Sequence, residues 1–232
     1  MNRKRKAILI AAGAAGAFIG ANAFVATRFL PRRDRIKRGK KLVLCIGDSI
    51  TFGAGVAWTR GRDAWPFILQ RLLGSEYQVL NYGISGATAQ KGTDCPYRER
   101  FLQSAVSVHA ETVLLMLGTN DSKPHNWDPQ RYEAAVHELV SALREEGTTI
   151  FLLLPPKAFP GKDGVVGFKI QDETIRKEIL PILFRVAEEE DCPVIDLYSF
   201  TEEHPEYFGD GVHPNRLGNI RIAEYLAGEL KP

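Results

Sequence analysis

Three residues of this sequence, a serine, an aspartate and a histidine, have the chemistry needed to transfer an acyl group. A serine hydroxyl is a weak nucleophile until a neighbouring base removes its proton. His213 is the natural base for Ser49, and Asp210, three residues before the histidine, can hydrogen-bond its other ring nitrogen. That bond would fix the tautomer of the imidazole and stabilise the imidazolium. The sequence therefore predicts nucleophilic catalysis through Ser49, Asp210 and His213.

The motifs that contain these residues follow predicted strands. Short apolar runs directly precede three of them, and the fourth lies after the last apolar run, just before the final helical pattern. The four motifs are Gly47–Ser49, Asn81–Gly86, Gly118–Asp121 and Asp210–His213. Because the carboxyl ends of parallel strands meet at one edge of a sheet, where ligands bind, we expect all four motifs to converge there.

Acyl transfer also needs hydrogen-bond donors for the oxyanion that develops on the substrate. The candidates are the backbone N–H of Ser49, the backbone N–H of Gly86 and the side-chain amide of Asn120. Each motif taken alone has a simpler explanation as a turn or a helix cap. Their combined occurrence after successive strands favours the catalytic interpretation.

Alternating apolar runs and amphipathic segments predict the fold. Between the runs lie helical patterns, one with Asp128 as its expected N-cap and Gly147 as its expected terminator, and one that Pro181 should kink or restart. This alternation with short links predicts a three-layer α/β/α sandwich, flavodoxin-like, with a five-stranded parallel sheet. Its strands are apolar on successive residues, as strands covered on both faces are: Leu42–Ile46, Gln78–Tyr82, Thr112–Leu117, Thr149–Leu154 and Val194–Leu197.

The four motifs resemble conserved blocks one, two, three and five of the SGNH, or GDSL-like, hydrolase family. The matching stretches read GDSI, NYGISGAT, GTND and DGVH, and GDSI in place of GDSL is a departure in the first block. The resemblance implies an α/β/α fold, no metal or other cofactor, and ester hydrolysis through an acyl-enzyme. The residues it assigns are Ser49, Gly86, Asn120 and His213 with Asp210.

Fewer residues of the sequence indicate which ester is the substrate. The stretch Asn120–Trp127 is similar to that of bacterial family members assigned to carbohydrate O-acetyl esters. Trp127 would then stack on a sugar ring, or else pack its loop onto the domain, and Asp48 beside the nucleophile is a second candidate substrate-binding residue. The segment Lys157–Lys169, which contains two phenylalanines, is long enough to line or cover the site.

Other activities are weighed against hydrolysis of short acyl esters. Lysophospholipase- or lipase-type hydrolysis and acyl transfer to another hydroxyl need the same residues and stay open, whereas a complete catalytic set argues against a glycan-binding domain without activity. An α/β-hydrolase would carry G-x-S-x-G, whereas the sequence around Ser49 reads GDSIT. The sequence also lacks the glycine-rich patterns of nucleotide-binding proteins. A metal-dependent phosphoesterase needs several histidine ligands. The spacing typical of such ligands is not found in His109, His125, His137 and His204.

The N-terminal residues predict an export signal or a membrane anchor. Asn2–Lys6 is basic, and the nearly all apolar run Ala7–Ala26 is long enough to span a bilayer and also typical of a signal peptide. We therefore divide the chain into a leader at residues 1–27, a basic linker at 28–40 and a hydrolase domain at 41–232. Basic residues after the run favour a cytoplasmic domain if the helix is retained, whereas the signal-peptide interpretation gives an exported enzyme.

Charge and cysteine content constrain the partners. Residues 3–41 contain 12 of the 30 Lys and Arg but one of the 28 acidic residues, which leaves 18 basic and 27 acidic side chains in the rest of the chain. This acidic body argues against nucleic-acid binding. Cys45 lies within an apolar run and should be a core residue. Pairing of Cys95 with Cys192 and the oligomeric state stay open.

Overall fold

The computed structural model describes residues 35–91, 94 and 98–230. The predicted leader, the first part of the basic linker and Cys95 lie outside the described residues, and so does the open question of whether that cysteine pairs with Cys192. Among the described residues, none of the helices combines the length and the hydropathy that a membrane crossing requires.

Within these residues, five strands form one sheet in which every neighbouring pair is parallel. The strands are β1 (Lys41–Gly47), β2 (Tyr77–Gly83), β3 (Thr112–Met116), β4 (Thr149–Leu154) and β5 (Val194–Asp196). Their order is β2-β1-β3-β4-β5, the flavodoxin-like order, in which the direction of winding reverses between β1 and β3. The predicted five-stranded α/β/α fold is confirmed.

The connections between the strands are mostly helical. Single turns of 3-10 helix lie at Ala54–Val56, Gly167–Lys169 and Pro205–Tyr207, and a π-helical stretch lies at Ile175–Ile179. The α-helices of the described residues are α1 (Ser49–Phe52), α2 (Arg60–Asp63), α3 (Trp65–Leu73), α4 (Arg98–Val106), α5 (Pro129–Leu143), α6 (Asp172–Thr174), α7 (Leu180–Glu189), α8 (Leu197–Thr201) and α9 (Arg216–Glu229).

Both faces of the sheet are buried. On β1, Leu42, Leu44 and Ile46 belong to one hydrophobic cluster, with residues of α5 and α7. Val43 and Cys45 belong to a second cluster, with residues of α3 and α9. Successive side chains of a strand point to opposite faces, so a run that is apolar at every position forms a strand between two helical layers. Cys45 is buried, as predicted.

Helix α5 begins as predicted but ends earlier. The side chain of Asp128 accepts the N–H of Arg131 at 2.9 Å and caps the helix. The last helical residue is Leu143, because the backbone becomes extended at Arg144, with ψ 122°. Gly147, expected as the terminator, instead has φ 82° in the following turn, so it shapes the turn into β4 rather than the end of α5.

Pro181 restarts a helix, as its position predicted. Proline has no N–H to give the carbonyl four residues earlier, and the chain accommodates it with a wider turn. The N–H of Leu180 bonds the carbonyl of Ile175, five residues back, and α7 then begins at Leu180. This turn places Ile175 and Ile179 in the buried cluster beside α5.

Candidate active site

Ser49 is the first residue of α1, directly beyond the end of β1. Asp48 caps this short helix by accepting the N–H of Ile50 at 2.8 Å. From the end of β2, the amide of Asn81 donates to the carbonyl of Thr51 at 2.9 Å. These two bonds attach α1 to the carboxyl edge of the sheet, and they fix the position of Ser49.

A chain of hydrogen bonds links Ser49, His213 and Asp210. Ser49 Oγ lies 2.9 Å from His213 Nε2, and His213 Nδ1 lies 2.7 Å from Asp210 Oδ2. The other carboxylate oxygen of Asp210 accepts the backbone N–H of Val212 at 3.0 Å and of His213 at 2.7 Å. The fold thus brings the three residues selected from the sequence together, although 164 positions separate Ser49 from His213.

The charge of Asp210 is held by its hydrogen bonds. Partial burial raises the pKa of its carboxyl, but hydrogen bonds from the side chain and the backbone of His213 and from the N–H of Val212 outweigh burial, and they lower the pKa to about 2. The carboxylate is therefore ionised at neutral pH, where it can accept a proton-bearing Nδ1 and leave Nε2 of His213 facing the Ser49 hydroxyl.

The loop from Asp210 to His213 packs against a second irregular segment. Gly211 has φ 82°, and a Cβ there would lie 2.2 Å from the carbonyl oxygen of Phe159, so glycine is required. The N–H of Phe159 donates to the carbonyl of Gly211 at 2.8 Å. Further along this segment, the ring of Phe168 meets that of His213 edge to face, with centroids 4.9 Å apart.

The two other oxyanion candidates lie after β2 and β3. Gly86 has φ 81° in the loop that leaves β2. Asn120 is buried, and its Nδ2 donates to the carbonyl of Ala87 at 3.1 Å and lies 3.4 Å from Asp48 Oδ2. Asn120 therefore adjoins both the loop that contains Gly86 and the residue that precedes the nucleophile.

Two residues that support Asn120, Asp121 and Asn126, had no role assigned from the sequence. Asp121 is fully buried and accepts the N–H of Ala89 at 3.0 Å and of Gln90 at 3.1 Å, which ties the loop after β3 to the loop after β2. Asn126 donates to the carbonyl of Asn120 at 2.8 Å. The signal for Asp121 was its polarity, because it lies a few residues after the apolar end of β3, whereas Asn126 lies further along the loop and had no such signal.

Burial raises the pKa of both Asp48 and Asp121 to about 6, although the N–H of Ile50 bonds the first and the N–H groups of Ala89 and Gln90 bond the second. Asp48 is 1% exposed, and its carboxylate faces Ile50 and the amide of Asn120. These contacts are with the protein itself, and they support a positioning role for Asp48 rather than the substrate-binding role that we expected.

Trp127 is held by contacts with the protein. Its Nε1 donates to Glu178 Oε2 at 3.0 Å, and its ring is tilted against the buried Tyr132 with centroids 5.5 Å apart. The side chain also packs against the cluster on the α5 side of the sheet. Of the two expected roles, packing of the loop has these contacts to support it.

One group of metal-ligand type occurs among the described residues. Glu133, His137 and Glu189 have ligand atoms within 4.8 Å of one another on α5 and α7. Two of its members already have other partners, since His137 Nδ1 lies 2.7 Å from Glu190 Oε1, and Glu133 Oε1 forms an ion pair with Arg185 Nε at 2.7 Å. The group shares no residue with the chain of hydrogen bonds at Ser49.

Fold and site together define a class: an α/β/α protein with a serine–histidine–aspartate hydrogen-bond chain at the carboxyl edge of a parallel sheet. The GDSL-like lipase/acylhydrolase family matches residues 45–220 of the sequence. The chain belongs to this family, and the family predicted from the four motifs is confirmed.

Relatives of known name agree with this assignment. An acetylxylan esterase of Xylanibacter ruminicola is 32% identical over 223 residues, which cover 87% of this chain but 44% of that protein, so the chain spans less than half of it. The thioesterase 1/protease 1/lysophospholipase L1 of Escherichia coli K12 is 27% identical over 82% of this chain and 83% of its own. A provisionally assigned arylesterase from Agrobacterium tumefaciens superposes with a TM-score of 0.69 at 26% identity, covering 82% of this chain and 98% of its own.

Proposed function

We propose that this chain is a serine esterase that hydrolyses short acyl esters, above all acetyl esters on carbohydrate, through an acyl-enzyme on Ser49. The observation that carries the proposal is the pair of contacts at His213, 2.9 Å from Nε2 to Ser49 Oγ and 2.7 Å from Nδ1 to Asp210. Both distances are those expected of a nucleophile, its base and the group that orients the base.

The chemistry follows from this geometry. His213 Nε2 takes the hydroxyl proton while Ser49 Oγ attacks the ester carbonyl, and ionised Asp210 stabilises the imidazolium. The proton then passes to the alcohol oxygen as the C–O bond breaks, which leaves the acyl group on Ser49. A water molecule next gives its proton to Nε2 and attacks the acyl carbon, and the proton returns to Ser49 Oγ as the acid leaves.

The oxyanion of each tetrahedral intermediate is assigned to the N–H of Ser49, the N–H of Gly86 and Nδ2 of Asn120. The 3.1 Å bond to Ala87 orients the amide of Asn120, whereas its 3.4 Å contact with Asp48 is longer than an ordinary N–H···O bond. Nδ2 carries two hydrogens, and the one that does not bond Ala87 is assigned to the developing oxyanion.

The acetyl preference is supported by the acetylxylan esterase relative and by the stretch Asn120–Trp127. The lysophospholipase among the relatives makes longer acyl chains the second candidate. The basic start and the apolar run of residues 1–27 support a part of the same proposal, namely that the enzyme is anchored to a membrane or exported.

A panel of esters tests the proposal. The purified full chain is assayed with p-nitrophenyl acetate, butyrate and palmitate below their critical micelle concentrations, and with acetylated xylo-oligosaccharides. We expect acetate esters to give the highest kcat/KM, and faster turnover of palmitate would reverse the proposed acyl preference. Acetyl groups recovered on an added sugar acceptor, instead of as free acetate, would make the enzyme a transferase.

Chelation is a second arm of this experiment. Because the oxyanion is assigned to N–H donors, activity should be the same with and without EDTA. A loss in EDTA that zinc or calcium restores would replace this mechanism with a metal-assisted one.

A further inference from the structure

Two consecutive residues close to His213 have an unfavourable backbone. Phe168 and Lys169 have φ values of 60° and 61°, a region that bulky side chains rarely adopt. The neighbouring structure holds them there. Pro160 and Val166 pair as an antiparallel bridge, and the N–H of Ile170 closes the turn on the carbonyl of Gly167 at 3.2 Å.

This conformation places the ring of Phe168 against His213 without burying it. The two ring centroids are 4.9 Å apart with planes at 75°, yet Phe168 is 57% exposed. Hydrophobic burial therefore explains little of the arrangement. Backbone strain that burial does not offset is concentrated at functional sites in proteins, and here the strained residue contacts the base of the proposed mechanism.

We propose that Phe168 forms one wall of the subsite for the alcohol part of the ester, and that it selects alcohols that carry a ring, such as a pyranose or a phenol. The inference rests on the proposed function. In that mechanism the alcohol oxygen takes its proton from His213 Nε2, so it lies within hydrogen-bond distance of the imidazole. The carbon atoms attached to that oxygen then reach the phenyl ring beside the imidazole.

Ring chemistry accounts for the selection. The C–H groups of a pyranose or the edge of a phenol can pack on the negative face of an aromatic ring, which adds to the apolar area removed from water. A short open-chain alcohol presents too little surface to gain from this wall. Phe168 therefore acts on the choice of alcohol, whereas the acyl group is bound elsewhere around Ser49.

Three acetates that differ in the alcohol test the inference: phenyl acetate, an O-acetylated methyl xylopyranoside and ethyl acetate. In Phe168→Ala, kcat/KM should fall about 3- to 10-fold for the two ring esters, mainly through KM, and less than twofold for ethyl acetate. Val165→Ala is the matched control, because Val165 is 63% exposed on the same segment, and it should leave all three values unchanged.

Two further variants keep the result interpretable. Phe168→Gly removes the same ring while suiting the positive φ, so it should show the same selectivity even if Phe168→Ala folds poorly. Phe168→Tyr should retain the preference for ring esters. An equal loss on all three esters would show that Phe168 only supports His213. Unchanged kcat/KM on all three would show that Phe168 neither contacts the alcohol nor supports His213. Wild-type protein inactive on every ester would instead overturn the proposed function itself.

Discussion

The two halves of the site are held in place in different ways. The nucleophile platform, which we define as Asp48, Ser49, Asn120 and Asp121, is at most 7% exposed at each residue and is bound by side-chain hydrogen bonds at the ends of three strands. The base loop, Asp210–His213, carries an acid whose side chain is 43% exposed, and the backbone bond from the N–H of Phe159 to the carbonyl of Gly211 ties it to the segment that begins at Phe159.

The platform thus positions Ser49 and Asn120, whereas the base loop carries the residue proposed to transfer the proton, His213. Burying carboxyl and amide groups costs free energy unless hydrogen bonds compensate. The buried polar groups of the platform therefore lower the free energy of unfolding, while their hydrogen bonds hold Ser49 and Asn120 in place. The base loop is nearer to solvent and, in the proposed mechanism, carries the imidazole that exchanges protons, so it should contribute less to stability. Substitutions in the platform should therefore change stability and activity together, whereas those in the base loop should change activity far more than stability.

The largest expected effect is that of Ser49→Ala. Removal of the nucleophile should lower kcat by roughly 10⁴-fold or more, with only residual catalysis from the oxyanion donors and substrate binding. The measurement is turnover of p-nitrophenyl acetate together with labelling by a fluorophosphonate probe. The probe should modify wild type at Ser49 alone, and labelling at another residue would reassign the nucleophile.

The base loop should show a hierarchy of its two side chains. His213 carries the proton, so His213→Ala should nearly abolish activity, as Ser49→Ala does. Asp210 orients and stabilises the ring, so Asp210→Ala should retain about 10- to 100-fold more activity than His213→Ala, as in another serine hydrolase where loss of the acid cost less than loss of the base. The comparison is made on kcat of both variants.

Thermal unfolding is the control for the base loop. Both variants should remain folded, with a small loss of stability in Asp210→Ala because its carboxylate accepts two backbone hydrogen bonds in the loop. If Asp210→Ala is as inactive as His213→Ala while still folded, the hierarchy is wrong. Full activity in His213→Ala would require a different base.

A smaller loss is expected in the platform, at Asn120. Asn120→Ala removes one proposed oxyanion donor, which should lower kcat roughly 10²- to 10³-fold. It also removes the 3.1 Å bond to Ala87, which should lower the free energy of unfolding by about 1 kcal/mol. Kinetics and urea unfolding measure the two effects, and a kinetic loss with unchanged stability would contradict the contrast between platform and loop.

Most of the fold could be predicted from the sequence. Strands that are buried on both faces are apolar at successive positions, so each end of β1 to β5 was predicted to within one residue. Motifs after those strands selected Ser49 and His213 for the proposed mechanism, because parallel strands end at one edge. The sequence could not show which way a side chain points, since that depends on packing between distant segments.

Three side chains illustrate this limit. Asp48 was expected beside the substrate, yet its helix-capping bond directs it inward. Trp127 had two possible environments, and only the position of Glu178, 51 residues away, distinguishes them. Phe168 lies in the segment Lys157–Lys169, which we expected to line or cover the site only because of its length. Its contact with His213 depends on a left-handed backbone conformation, and a phenylalanine in the sequence gives no sign of that conformation.

The smallest expected effect is a pH-dependent gain in stability from Asp48→Asn. Burial raises the pKa of Asp48 from its ordinary 3.8 to about 6, so the folded protein favours the protonated form. Well below pH 4 the residue is protonated in both states and no penalty arises, whereas above pH 6 folding must bury a charge. The substitution removes that charge while keeping an acceptor for the N–H of Ile50.

Asp48→Asn should therefore raise the free energy of unfolding by about 1–3 kcal/mol at pH 8, with the gain fading as the pH falls toward 4. The control is Asp210→Asn in the base loop, where the pKa is lowered to about 2. An acid with a lowered pKa stabilises the fold when it is ionised, so this variant should be slightly less stable at pH 8, and the deficit should shrink below pH 4. Urea unfolding at pH 8, 6 and 4 measures both. The two aspartates should thus respond with opposite signs. A loss of stability in Asp48→Asn at pH 8 would show that the ionised carboxylate supports the platform through its hydrogen bonds more than burial penalises it.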